Sequence, residues 1–421
     1  MLTEEKEPTQ KAWVAFKSFD FRLLWVSALL QQVGQQMRQI TNYYLVYRIT
    51  GSFTQLGLTG LFQLIPMLIL GLFGGTLADL IDKKKIILIS TCIGLFLPLV
   101  LWALTATELI QVWHIFAVVT VTSLVNVFGG PARISMVART VTQGQLMNAI
   151  TINTGTMQVT MLLGPLIGGL LIAWIGVAGG YLISSLLFIP AIMAIVLLRV
   201  SGTPEGNLDP PFKHGTIKFI KTIFTGAWEG ARFIFAQRIL VSIYLLDLGV
   251  TVVTYFRPLL AGFTEEVYSV GAVSLGTITA ALPLGSILGA LFLLTFSYIR
   301  GKGKLVLGST LFYGIFLGLF GLTSSFWLAV GLVGTIGFFD SIAMTVKHAT
   351  TQVVTPDSLR GRASSAVSMA AMTANALGTV EFGVVAERLG PQRATLLGSA
   401  ISIVVVLVSW VTMKTLRTYR S

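Results

Sequence analysis

Four charged residues stand inside long apolar stretches of this chain: Arg38, Asp247, Asp340 and Glu381. An ionised side chain in hydrocarbon is costly, so such residues line water-filled cavities, pair with one another or contact what passes through. Desolvation favours the protonated form of a carboxylate, so a buried acid can take up and release a proton while facing first one aqueous side and then the other. Asp247 shares a helical face with Tyr244, Thr251 and Thr254, just ahead of Arg257-Pro258. Asp340 is followed one and two turns on by Met344 and Lys347, which predicts Lys347 as its neutralising partner. Glu381 lies a turn beyond Gly378, toward the opposite face.

Arg38 belongs to a polar stripe. Gln31, Gln35, Arg38 and Asn42 are spaced by four, three and four, so they share one face of a helix, which Gln32, Gln36 and Gln39 broaden. Such a stripe cannot face lipid and is expected to line a cavity, with Arg38 and Asp247 carrying coupling or binding. Gln63, Asn126, Asn153, Gln158 and Asn375 are further amides in apolar surroundings rich in Phe and Met. A mixed lining of this kind suits a mid-sized amphipathic organic molecule better than a small ion. Hydrogen bonding between helices would account for some of these amides equally well.

The elements that position these residues follow from composition. The chain is 54% hydrophobic and 11% charged over 421 residues, with a mean hydropathy of +0.82, more apolar surface than a soluble core can hide. It is expected to be an all-α polytopic membrane protein. Apolar windows of 18 or more residues recur about twelve times, each able to cross a bilayer about 30 Å thick, and no barrel-type alternation is visible. The net charge of +12 does not point to nucleic acid, because with the N-terminus inside about 24 of the 29 Lys and Arg fall on the cytoplasmic side.

The expected spans include helix 1 from Phe19 to about Tyr47, helix 2 over about 53–78, helix 3 over 86–106, helix 4 over 113–136 and helix 5 over 147–173. Residues 1–18 read as a cytoplasmic tail, 19–199 as a first six-helix half, 200–238 as a cytoplasmic linker with a surface helix around 217–235, 239–413 as a second half and 414–421 as a tail. The halves echo one another. Pro66 matches Pro283, Lys83-Lys84-Lys85 matches the basic run from Arg300 to Lys304, and Val141-Thr142 with Leu146 matches Val354-Thr355 with Leu359, at an offset of about 213 to 217 residues. In helix 5, Leu163-Gly164-Pro165-Leu166-Ile167-Gly168-Gly169 combines a missing backbone bond with small residues, predicting a bend at a helix contact.

The link Gly74-Gly75-Thr76-Leu77-Ala78-Asp79-Leu80-Ile81-Asp82-Lys83-Lys84-Lys85 resembles the signature between the second and third helices of major facilitator transporters, with Leu80 and Asp82 departing from its usual Arg and Gly. By that resemblance Gly75, Asp79, Asp82 and Lys83 form a gating motif, Asp79 docking near Gly361 and Arg362 at the start of helix 11. The second half carries Phe296 about where Asp79 would fall, so the latch is expected on one side only. Gly130-Pro131-Ala132-Arg133, Leu146 with Asn148-Ala149-Ile150, Gly164-Pro165, Thr355-Pro356-Asp357 with Leu359-Arg360-Gly361-Arg362, and Ala386-Glu387-Arg388-Leu389-Gly390 resemble the bacterial branch that includes enterobactin-type siderophore exporters and macrolide efflux proteins. Many relatives have an acid in helix 1 and an arginine in helix 2 where this chain has the neutral Gln35 and Gln63, so a mechanism built on that acid does not transfer.

The resemblance implies twelve helices in two similar halves and a secondary transporter of the bacterial inner membrane, with both termini cytoplasmic. It implies export of a drug-like or siderophore-like molecule by alternating access and proton antiport, the helix 5 element being similar to that of antiporters. A monomer is expected, powered by a proton gradient without a cofactor. There is no phosphate-binding G-x-x-x-x-G-K-[ST] run, His114, His214 and His348 are scattered, and the single Cys92 lies in a span, so neither an ATP-driven pump nor a metal centre is expected. The alternatives are movement of a lipid or lysolipid between leaflets and, from another class, a membrane-embedded enzyme or a non-transporting receptor.

Overall fold

The computed structural model describes residues 13–203, 232–295, 301–356 and 359–419, and leaves aside the side chains of 71–80, 361, 362 and 365. The first helices are α1 (Phe19–Thr50), α2 (Phe53–Leu80), α3 (Lys83–Ala106) and α4 (Val112–Thr140). Side-chain caps set three of their starts: Ser18 accepts from the Phe21 N–H, Ser52 from that of Gln55 and Asp82 from that of Lys85. The next stretch, Gln143–Leu186, breaks at Gly176, whose φ of 74° and ψ of 175° suit only a residue without Cβ. This divides it into α5 (143–175) and α6 (177–196), the latter ending in Phe188–Val196. α7 (Arg238–Thr254) turns through Arg257–Leu259 into Leu260–Glu266, and α8 (Ala272–Thr295), α9 (Lys302–Leu322), α10 (Phe326–Val354), α11 (Arg360–Leu389) and α12 (Pro391–Thr412) follow.

Ten stretches of the described residues are long and apolar enough to cross a membrane. One of them, Gln143–Val196, has 54 residues, roughly 80 Å of helix and more than twice a bilayer core, so the Gly176 break makes it two spans. α1 has 32 residues, long enough to cross, and is made less apolar by its glutamine stripe. Dividing the one and adding the other gives twelve. The expected boundaries shift slightly, α3 and α5 beginning earlier and α1 and α4 ending later. Of the linker, 204–231 lies outside the described residues and 232–236 is helical.

Neither terminal segment is wholly free. Ala15 is buried and its N–H donates to Asn148 Oδ1 at 3.2 Å. At the other end Leu416 is buried, and Tyr419 O accepts from the Gly303 N–H at 3.2 Å.

The halves meet through α2 against α11 and α5 against α8. Both seams need glycine. A Cβ on Gly57 would sit 2.8 Å from Thr379 O, and one on Gly169 would sit 2.5 Å from Ala272 O beside Gly276. These seams lie away from the face that carries Lys83–Lys85. There one apolar core joins Tyr47 and Phe53 of the first half to Phe256, Phe263 and Phe382 of the second. Tyr47 Oη donates to Glu266 Oε1 at 2.6 Å, and Glu387 Oε2 accepts from Ser52 Oγ at 3.0 Å and Thr54 N at 3.2 Å. Toward the basic face, among the described residues, the cores separate. Phe21, Leu24, Ile87 and Met136 pack within the first half, and Leu240, Ile243, Leu307 and Val406 within the second. Among the described residues the halves share one core at one face and have separate cores at the other.

Candidate functional site

Each half holds a polar cavity. In the first half α1, α3, α4 and α6 enclose about 160 Å³, lined by Gln31, Gln32, Gln35 and Arg38 of α1, Asn126 and Arg133 of α4, and Phe188 of α6, among others. Arg38 is only 5% exposed, and its Nη1 is buried without a hydrogen-bond partner among the described residues. The amides around it are already bonded. Gln31 Nε2 donates to Ser27 Oγ and Thr91 Oγ1 at 3.0 and 2.9 Å, Gln32 Oε1 accepts from Thr160 Oγ1 at 3.0 Å, and Gln35 Nε2 donates to Asn126 Oδ1 at 3.4 Å.

In the second half a cavity of about 50 Å³ is lined by Asp247, Thr251 and Thr254 of α7, Thr310 and Tyr313 of α9, and Asp340 and Lys347 of α10, with apolar neighbours. Here every charge is answered. Lys347 Nζ is bonded to Asp247 Oδ1, with side chains 10% and 22% exposed. Arg257 Nη2 is 3.3 Å from Asp340 Oδ2, a more open pair at 47% and 33%. Tyr244 Oη and Thr351 Oγ1 are 2.6 Å apart, bracing α7 against α10 beside the first pair.

The expected partnership of Lys347 with Asp340 is therefore corrected. Seven residues of helix separate them by roughly 10 Å along the axis, beyond a short carboxylate, and Lys347 reaches across to α7. Arg38 and Asp247, expected to act together, line separate cavities. Glu381 is exposed on α11, with no ion pair among the described residues. Of the expected lining, Gln31, Gln35 and Asn126 are in place. Asn42 is buried as the acceptor of the Tyr181 hydroxyl at 2.8 Å. Gln63, exposed, accepts from Ser123 Oγ through its backbone, and Asn153, Gln158, Asn375 and Tyr244 stand outside both linings.

Gly164 and Gly168 face Gln36 and Met37 of α1 while Gly169 faces α8, so this element is a packing surface for two helices. Helical dihedrals persist through Pro165, and the break comes at Gly176. Asp82 caps α3, and Lys83 is buried with its N–H donating to Gly202 O at 2.8 Å. Gly75, Asp79 and Arg362, the rest of the expected latch, lie outside the described side chains, as does Phe296.

Arg133 and Arg257 line or flank these cavities without being expected as site residues, and Lys347 is expected only as a partner of Asp340. A signal existed for two of them: Asn126 and Arg133 stand to Asp340 and Lys347 at one common offset, inside that of the repeat.

The fold is shared with solved transporters: the nucleoside transporter NupG (TM-score 0.74, 13% identity, 94% of this chain and 99% of that one), and a bacterial homologue of the human lysosomal transporter Spinster, inward-facing and unoccupied (0.66, 18%, 96% of each). Twelve spans in two joined halves, with a cavity inside each, make up the major facilitator fold. The chain belongs to the transmembrane secretion effector family, whose model matches residues 10–420. It is 28% identical over 411 residues to the enterobactin exporter EntS of Escherichia coli O139:H28, covering 95% of this chain and 93% of that protein. The same figures hold for EntS of Escherichia fergusonii.

Proposed function

We propose that the protein is a secondary active exporter of a mid-sized amphipathic organic molecule in the bacterial inner membrane, working by alternating access with proton antiport and no bound cofactor. The observation that carries this reading is that, among the described residues, one core joins the halves at one face and the cores are separate at the other. Lys83–Lys85 support a cytoplasmic position for the divided face, and both termini are placed on that side in this reading. A substrate then enters from the cytoplasm and leaves when the seal at Tyr47–Glu266 and Ser52–Glu387 opens. The relatives named as enterobactin exporters support export of an organic molecule. Asp247 is the coupling acid in this reading. Its protonation cancels the charge that holds Lys347, loosening α7 from α10, and release of the proton restores the pair. The protein acts as a monomer.

A reversible lock tests this reading. In a Cys92→Ser background, Ser52→Cys and Glu387→Cys joined by a short cleavable thiol crosslinker should cut efflux at least about tenfold, with recovery on cleavage, because a conformational step is blocked. Unchanged efflux from the fully crosslinked protein would sink it.

A further inference from the structure

Among the described residues, the first-half cavity is lined by two guanidinium groups and no acid. Arg38 and Arg133 are the charged residues of its lining. Arg38 Nη1 is buried with no partner among the described residues, and Arg133 Nη1 makes a long contact of 3.4 Å to Leu24 O. The second half is the contrast. There Lys347, at the position that repeats Arg133, is paired with Asp247, and Arg257 with Asp340. The same offset places Asp247 on Val33 of α1, beside Gln31 and Gln32, so no acid stands where the second half has its own. Those amides have already spent hydrogen-bonding capacity on Ser27, Thr91 and Thr160. A buried cation calls for a counter-charge, and the described walls do not supply one.

We infer that the α1–α4 cavity is an anion-recognition site that receives the carboxylate end of an amphipathic organic acid, with Arg38 the principal contact and Arg133 the second. A planar guanidinium matches a carboxylate through paired N–H donors. The cavity volume of about 160 Å³ falls below the roughly 300–1,000 Å³ of a site that encloses a drug-sized molecule, so the charged end sits inside and the apolar remainder lies past the exposed Asn126. This substrate class rests on the transport reading above.

The test is binding by titration calorimetry to the full-length protein in phosphatidylcholine nanodiscs at low chloride. The probes are 1-naphthoate, its neutral isostere 1-naphthamide and the cation 1-naphthylmethylammonium. Naphthoate should bind at least about tenfold more tightly than either, as expected for a charge-assisted contact. Arg38→Gln should erase that preference and Arg38→Lys keep part of it. Gln35→Glu, one turn from Arg38 on the same face, supplies an in-chain counter-ion and should also erase it, which keeps the test decisive if Arg38→Gln does not fold. Equal binding of the three probes, or an undiminished preference in either Arg38→Gln or Gln35→Glu, would overturn the inference. So would loss of naphthoate binding when phosphatidylglycerol is added, which would assign the site to a lipid headgroup. If the preference is absent while a neutral compound still drives proton flux, the anion site falls and the exporter stands. If the preference holds while the crosslinked protein transports freely, the reverse follows.

Discussion

Lys347 and Asp247 hold each other's charge in a site where neither has another ion-pair partner among the described residues. Asp247→Asn or Lys347→Met alone therefore leaves one charge stranded. A fully buried pair broken in this way costs about 3–5 kcal/mol, and about 2–3 kcal/mol is expected here because Asp247 keeps some exposure. The double variant Asp247→Asn/Lys347→Met should recover most of that loss in a thermal-unfolding series in detergent, and additive losses would refute the pairing. Arg257→Gln should destabilise by less than about 1 kcal/mol, its pair with Asp340 being more open. The charged residues themselves were legible in the sequence, since each interrupts an apolar stretch. Their pairing was not. Spacing along a helix reports neighbours on that helix, and the partner of Lys347 sits on α7, brought close by the bundle. The repeat between halves carried part of the missing information, through Arg133 and Lys347.

Helices were read well where hydropathy is monotonous and where polar residues keep a helical period. α1 is the instructive case: its glutamines depress its apolarity, yet their spacing marks one polar face of a helix. What the pattern hides is backbone detail. The expected end of helix 5 at about 173 falls close to the break at Gly176, but the positive φ that makes it leaves no trace in hydropathy. Gly164, Pro165, Gly168 and Gly169 suggested a bend, while the structure uses three of them to seat α1 and α8 closely. Small residues report close approach equally well in both cases. At the α5–α8 seam, Gly276→Val would thrust atoms against Pro165 O and Gly169. It should lower transport at least about fivefold or the thermal midpoint by several degrees, as overpacking does. Gly331→Ala, with open space around it, should change neither. A neutral Gly276→Val would show that the seam is not tightly packed in the membrane.

Across the molecule, two kinds of asymmetry meet. The basic residues gather at the face where the cores divide, while aromatic rings and the contacts of Glu266 and Glu387 close the other. Among the described residues, Arg38 Nη1 stands without a hydrogen-bond partner in the first-half cavity, while the second-half cavity holds matched ion pairs. The twofold repeat was visible in the sequence, but which face is sealed was not, since it depends on residues more than 200 positions apart such as Tyr47 and Glu266. In the proposed cycle the first half recognises substrate and the second exchanges the proton. Proton movement bears most directly on that division of labour. The protein is reconstituted in liposomes with a pH-sensitive dye inside, and siderophores, macrolides and other amphipathic compounds are added in turn. Proton-coupled export predicts a compound-triggered flux that falls at least about tenfold in Asp247→Asn, as expected when the one exchanging acid is removed. An undiminished flux in Asp247→Asn, or export of a compound with no proton movement at all, would contradict it.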